Sequence, residues 1–144
     1  MKKTLLISLV LLLSTRAIGA QDWYTNAETA IETAAKEEKK IILVFQGSDW
    51  CAPCIKLDRE IWSTTEFQEA AKAHFIMLQA DFPKKKKNRL SKELQTQNKQ
   101  LAEKYNPKGH FPYVVVLNPQ GNILGSLGYE KTSPALYFKK LMDF

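Results

Sequence analysis

Apolar and polar positions change their spacing several times along this chain, and each change marks an element. Leu5 to Leu13 (LLISLVLLL) is apolar apart from Ser8. Beyond Trp23, the residues Ala30, Ile31, Ala34 and Ala35 recur at helical spacing as a narrow stripe. Thr25-Asn26-Ala27-Glu28 reads as a capping box at its start, and Lys39-Lys40 suit the negative end of the helix dipole. Ile41 to Phe45 (IILVF) is a continuous apolar, partly β-branched run, as expected of a strand covered on both faces. A short loop leads to Cys51, and the pattern predicts a helix from Ala52 to Trp62 with Cys54, Leu57 and Ile61 on one face. Thr64 or Thr65 can cap a second helical piece ending near Ala73, and Phe75 to Asp81 (FIMLQAD) is the next strand.

In the second half, Pro83 and a basic tract precede a helix carrying Leu90, Leu94, Leu101 and Tyr105 on one stripe. Asn106-Pro107-Lys108-Gly109 breaks that helix. Pro112 opens the strand Tyr113 to Leu117 (YVVVL), and Asn118-Pro119-Gln120-Gly121 turns it into a second strand, Asn122 to Leu127. Ser133-Pro134 forms an N-cap and first helical residue, and the last helix offers Leu136, Tyr137, Leu141 and Met142 to cover the sheet. Strand, helix, strand, helix, hairpin and helix, without repeats or a linker, predict one layered α/β domain.

Composition narrows the class. A chain of 144 residues, 44% hydrophobic and 25% charged, can bury a core without disulfide staples. Disorder, collagen-like repeats and a multi-span membrane protein are excluded. The N-terminus has the layout of a secretory signal peptide: positive Met1-Lys2-Lys3, the apolar run, then small Ala17-Ile18-Gly19-Ala20. The run is short of the ~18 apolar residues a spanning helix needs, although a retained N-terminal anchor is the alternative. Residues 1–19 are therefore expected to be removed, with cleavage after Gly19 or Ala20, leaving a domain over 20–144. No cysteine follows the cleavage region, so a lipoprotein anchor is not expected. Export, most simply to a periplasm, places the domain where disulfides persist.

The formal charge of +6 raises the question of an acidic partner. Loss of Lys2, Lys3 and Arg16 lowers it to +3, and the six basic residues Lys84, Lys85, Lys86, Lys87, Arg89 and Lys92 exceed that surplus. The body is mildly acidic, and the positive charge is local. No aromatics interleave the lysines, so nucleic-acid binding is not expected. A solvated loop and a docking patch for an acidic partner or envelope surface are the two readings of Lys84 to Lys92.

The chemistry lies in Trp50-Cys51-Ala52-Pro53-Cys54. At the first turn of a helix, the Cys51 sulfur would face unpaired amides and the positive end of the dipole. Cysteines so placed can have pKa values of about 3.5–7.5 rather than ~8.5. Cys54, one turn further in, is expected to be less exposed and to serve as the resolving thiol. Pro53 is tolerated because the first turn has no amide bond to lose. Other readings remain: an inert disulfide, two buried thiols, soft-metal capture by the CxxC alone, or a metal site adding His74 and His110. The last does not follow zinc-finger spacing, and no second CxxC is present.

WCAPC after an apolar strand, then a helix, then a distant X-Pro before a hairpin, resembles thioredoxin. The resemblance covers roughly residue 26 to the C-terminus. GSDWCAPCIKLDREIW (Gly47 to Trp62) and LAEKYNPKGHFP (Leu101 to Pro112) look especially like exported bacterial thioredoxin-like proteins related to thiol:disulfide interchange proteins. The likeness implies a thioredoxin-like fold, a central mixed sheet flanked by helices with the CxxC at a helix N-terminus. It implies Cys51 as nucleophile, Cys54 as resolving cysteine, and Pro112 as a cis-proline that lies against the CxxC. The backbone before it, at Phe111, would pair with an extended substrate, and Trp50 would flank the nucleophile, with core packing as its other role.

The implied activity is thiol–disulfide exchange with protein substrates, needing no metal or cofactor beyond the Cys51–Cys54 pair. Ala-Pro between the cysteines is closer to the Gly-Pro of reducing thioredoxins than to His-containing oxidase pairs, which favours a reductase. Such a reductase would be a monomer fed by a membrane-borne thiol:disulfide electron donor. The rival reading is a non-catalytic binding module on the same scaffold. Two departures stand out. Phe45 occupies the position, six before the nucleophile, where many members carry a proton-transfer carboxylate, leaving Asp49 or water for that task. The second is a basic insertion around 83–92.

Overall fold

The centre of the molecule is β2 (Lys40–Gln46), and its sequence explains why: Ile41, Ile42, Leu43, Val44 and Phe45 are all buried. A strand with no polar position can only lie between two covered faces. In the computed structural model, which describes residues 21–144, β2 pairs in parallel with β3 (Phe75–Asp81) and antiparallel with β4 (Tyr113–Leu117). β1 (Trp23–Tyr24) and β5 (Ile123–Leu127) complete a five-stranded sheet in the order β1-β3-β2-β4-β5. The predicted signal segment, 1–19, lies outside the described residues. Among those described, no helix is long and apolar enough to cross a membrane.

Alternation along the strands divides the core into two layers. Ile42, Val44, Met77, Val114 and Val116 face α2 (Ala52–Leu57), α3 (Thr65–His74) and α5 (Pro134–Asp143). Ile41, Leu43, Phe45, Ile76 and Val115 face α1 (Ala27–Glu37) and α4 (Lys92–Tyr105). The strands run mostly as predicted, and the helices differ in instructive ways. Asn26, not Thr25, caps α1, its side chain accepting from Thr29 N–H at 2.8 Å. The buried stripe of α1 is Ala27, Ala30 and Ala34, while Ile31 is exposed. The predicted helix 52–62 is α2 followed by a π-helical segment, Asp58–Trp62, where Ser63 N–H reaches back to the Asp58 carbonyl at 2.8 Å. Widening the helix there lets the adjacent residues Ile61 and Trp62 both enter the core.

Leu90 falls outside α4, which Ser91 caps, and the buried polar position of that helix is Asn98. On α5, Tyr137 and Leu141 cover the sheet, but Leu136 and Met142 are exposed, since the covered stripe is rotated towards Phe138.

Candidate active site

Two features of β2 deliver the CxxC to the rim of the sheet. The strand ends at Gln46, and a tight turn follows in which Cys51 N–H donates to the Gly47 carbonyl at 2.9 Å. Gly47 is required here: a Cβ at this position would lie 2.3 Å from the Trp50 indole. Cys51 is then the N-cap of α2, and its Sγ accepts the Cys54 N–H at 3.3 Å. Cys51 and Cys54 form a disulfide with Cα atoms 5.2 Å apart. Contrary to the expected difference in exposure, both residues are 4% exposed in this oxidised pair. Pro53 sits in the first turn, where it costs no hydrogen bond.

The Phe111–Pro112 peptide is cis, and Pro112 is buried immediately before β4. Tyr113 pairs with Phe45, which brings this loop to the same sheet end as the CxxC. Its approach is fixed by buried Asn106, whose side chain both accepts from His110 N–H (3.0 Å) and donates to the His110 carbonyl (2.8 Å). The Phe111 ring meets Trp50 edge-on at 5.6 Å. Trp50 is 39% exposed, so its place is at the site and not in the core.

The residues weighed as a proton-transfer group fall apart in space. Phe45 is fully buried in the layer under α1 and α4, tilted against Tyr113 at 6.5 Å. Asp49 is engaged elsewhere: its carboxylate accepts Lys84 N–H (2.9 Å), Lys85 N–H (3.0 Å) and the Asn88 side-chain amide (3.0 Å). A cavity of about 510 Å³ borders Cys54, lined by Gln46, Ser48, Asp58 and Gln79 together with Trp23 and Trp62. The metal set is not assembled. His74 is exposed at the end of α3 beside Phe138, and His110 beside Tyr113. Among the described residues no group of three or more His, Cys, Asp or Glu side chains could hold a metal ion.

The basic segment is packed against Trp50. It is exposed, as a solvated loop would be, but it is also anchored. Besides Asp49, the Trp50 indole N–H donates to the Phe82 carbonyl at 2.8 Å, and the Lys84 ammonium lies 3.9 Å over the Trp50 ring. A short 3-10 turn, Lys86–Asn88, completes the loop. The Lys84 N–H, then the Asn88 amide, hold the Asp49 carboxyl below its ordinary value. A lowered carboxyl pKa means that the loop's anchorage is present above the ordinary value and is lost as pH falls through the lowered one. In NMR spectra, the Lys84 and Lys85 amide shifts should therefore titrate with a midpoint below 3.8. Asp49→Ala should move both at neutral pH and abolish that titration; a midpoint above 3.8 contradicts the anchor.

A family model described as thioredoxin-like matches residues 22–119. The disulfide bond reductase DsbH of Chlamydia pneumoniae is 36% identical over 129 residues, covering 88% of this chain and 75% of that protein. The thioredoxin-related protein DsbJ of Chlamydia pneumoniae is 24% identical over 114 residues, covering 77% of this chain but only 32% of that longer protein. Among solved structures, a DsbH oxidoreductase matches with a TM-score of 0.80 at 33% identity, over 92% of this chain and 90% of that one. A thioredoxin from Thermus thermophilus matches at 0.65 and 17% identity over 87% of each chain, a likeness of fold alone. With its mixed sheet, its CxxC disulfide at the head of α2 and these matches, the chain belongs to the thioredoxin-like family.

Proposed function

We propose that this protein is an exported thiol–disulfide oxidoreductase working in the reducing direction on protein disulfides. The observation that carries the reading is the Cys51–Cys54 disulfide at the N-cap of α2, with the Cys54 N–H directed at the Cys51 sulfur. In the reduced protein that N–H stabilises negative charge on Cys51, which makes it the nucleophile of the pair. The Cys51 thiolate attacks one sulfur of a substrate disulfide and displaces the other as a thiolate. Cys54 then gives up its proton, and its thiolate attacks Cys51 Sγ, releasing the second substrate thiol. Two electrons pass to the substrate, and the protein is left with the Cys51–Cys54 disulfide.

With Phe45 in place of a carboxylate, the cavity beside Cys54, with Gln46, Ser48, Asp58 and Gln79 on its wall, supplies the route by which water takes the Cys54 proton. Phe111 and cis-Pro112 offer backbone at the sheet end that carries the CxxC, and Trp50 and Phe111 pair as an apolar rim there.

Direction rests on the dipeptide between the cysteines. Ala52 and Pro53 bring neither a charge nor a side-chain donor to the Cys51 thiolate, so the reduced form is not specially stabilised. The name of the similar Chlamydia pneumoniae protein, disulfide bond reductase, agrees with that direction. Export rests on the charged, apolar and small-residue pattern of residues 1–20. An exported reductase needs electrons from inside the cell, so a membrane-borne thiol:disulfide relay is the donor this reading requires. The test is catalysed reduction of insulin disulfides with dithiothreitol as electron source. The protein should accelerate it well above buffer, and an unaccelerated rate overturns the reading.

A further inference from the structure

We propose that the groove between the basic segment and α4 is a recognition site for acidic, apolar-containing protein segments next to the disulfide that reacts at Cys51. The inference rests on the thiol–disulfide reading above and names its substrate class. The groove has a volume of about 740 Å³. Trp50, Phe82 and Phe111 form its apolar end, with Phe82 and Phe111 edge-on at 5.4 Å. Lys84, Lys85 and Arg89 line it from the loop, and Lys99 lines it from α4.

Two residues that line the groove, Trp50 and Phe111, are chain neighbours of the site. Trp50 precedes Cys51 and Phe111 precedes Pro112, so a chain held at the reacting sulfurs continues into the groove. It is also a built surface. Asp49 fixes the loop backbone, and Asn98, 3% exposed, donates to the Asp81 carbonyl at 3.0 Å, tying α4 to the end of β3. Its positive charge is largely unmatched. Among the described residues, none of Lys84, Lys85, Lys86, Lys87 and Arg89 forms a salt bridge, and Lys99 reaches Glu103 only at 3.9 Å. Asp81 lines the groove, and Asp49 holds the loop that forms one side of it. Asp49 is turned onto the loop amides, with Lys85 in its field, and Asp81 accepts from Ser48 N–H (2.9 Å), Ser48 hydroxyl (2.6 Å) and Phe82 N–H (2.9 Å). Cations beside an aromatic end whose Trp50 directly precedes Cys51 fit an acidic peptide with an apolar residue beside its cysteine. A nucleic acid would meet the charge but brings no disulfide to Cys51.

The test uses the reduced protein and short peptides whose central cysteine, between two phenylalanines, is blocked as a mixed disulfide with thionitrobenzoate. One peptide is flanked by glutamates, the other by glutamines. Cys51 attacks the peptide sulfur, coloured thionitrobenzoate thiolate leaves, and Cys54 then releases the peptide thiol to leave the Cys51–Cys54 disulfide. The glutamate peptide should react about tenfold faster at low salt, and the advantage should shrink as salt rises. The double variant Lys85→Glu and Arg89→Glu should reverse the order. Lys36→Glu with Lys72→Glu, an equal charge change in the last turns of α1 and α3 at the sheet end opposite the CxxC, should retain it. Equal rates for the two peptides, or a preference that survives reversal in the groove or is lost in the distant variant, overturns the proposal. So does stronger competition by a single-stranded oligonucleotide than by a glutamate peptide lacking cysteine. No release from either peptide has a different signature and overturns the thiol–disulfide reading itself.

Discussion

Cys51→Ser should reduce insulin-disulfide reduction to the uncatalysed rate, a loss of about a thousandfold or more. Serine is itself a favourable N-cap. Its hydroxyl can accept the Cys54 N–H that the Cys51 sulfur accepts, so α2 keeps its start and only the proposed nucleophile is lost. A serine hydroxyl is far too weak an acid to supply an anion at neutral pH, whereas a capped thiol is not. Cys54→Ser should behave differently. Its first step is intact and its second is missing, so a mixed disulfide should accumulate to one substrate per chain, visible on non-reducing gels and released by dithiothreitol. Appreciable turnover by Cys51→Ser would contradict the assigned roles.

Trp62→Ala should destabilise the fold by about 3–5 kcal/mol. Trp62 is 2% exposed and sits at the meeting point of the layer beneath the active site. Its ring meets Phe67 at 4.9 Å, Tyr137 at 5.4 Å and Trp23 at 6.0 Å, each edge-on. Removing it leaves a void between the π-helical segment, α3 and α5, and these rigid elements collapse only partly to fill it. The same residue borders the cavity next to Cys54, so the loss should also loosen the support of α2. Urea unfolding should show the midpoint shift, with Trp62→Phe losing clearly less. A cost below about 1 kcal/mol for Trp62→Ala would show that the layer does not depend on this ring.

What could be read from sequence was what local pattern dictates. IILVF and YVVVL have no polar position to turn towards water, so β2 and β4 and their central place follow directly. Ser133-Pro134 and Thr64 act as helix starts because their chemistry is local. The CxxC and the X-Pro before a strand were legible from spacing and likeness. What escaped was decided by tertiary contact. Two-residue β1 has no period to detect, and its place comes from pairing with Met77 and Leu78. The rotation of the buried stripe of α5 depends on which residues α3 presents to it. Leu136 and Met142 are as apolar as Leu141 and nonetheless stay outside.

The polar positions were hardest. Asp49, Asn98 and Asn106 look like ordinary loop or helix residues, and their work is visible only when the backbone groups they bond arrive from elsewhere in the chain or fold back on them. Of these, the Asn106 loop carried the one available signal, an Asn-Pro-Lys-Gly turn close before the proline. Asp49 carried none, because its partners lie 35 and 36 residues downstream.

The central claim is a reducing Cys51–Cys54 pair, and its reduction potential tests it most directly. Equilibrating the protein in graded dithiothreitol or glutathione buffers, trapping free thiols and counting them by mass gives that potential without choosing a substrate. With no charge or donor supplied by Ala52 or Pro53, the pair should sit near about −270 mV, the range of reducing thioredoxins. A value near about −120 mV, the range of a strong dithiol oxidant, would contradict the reducing assignment.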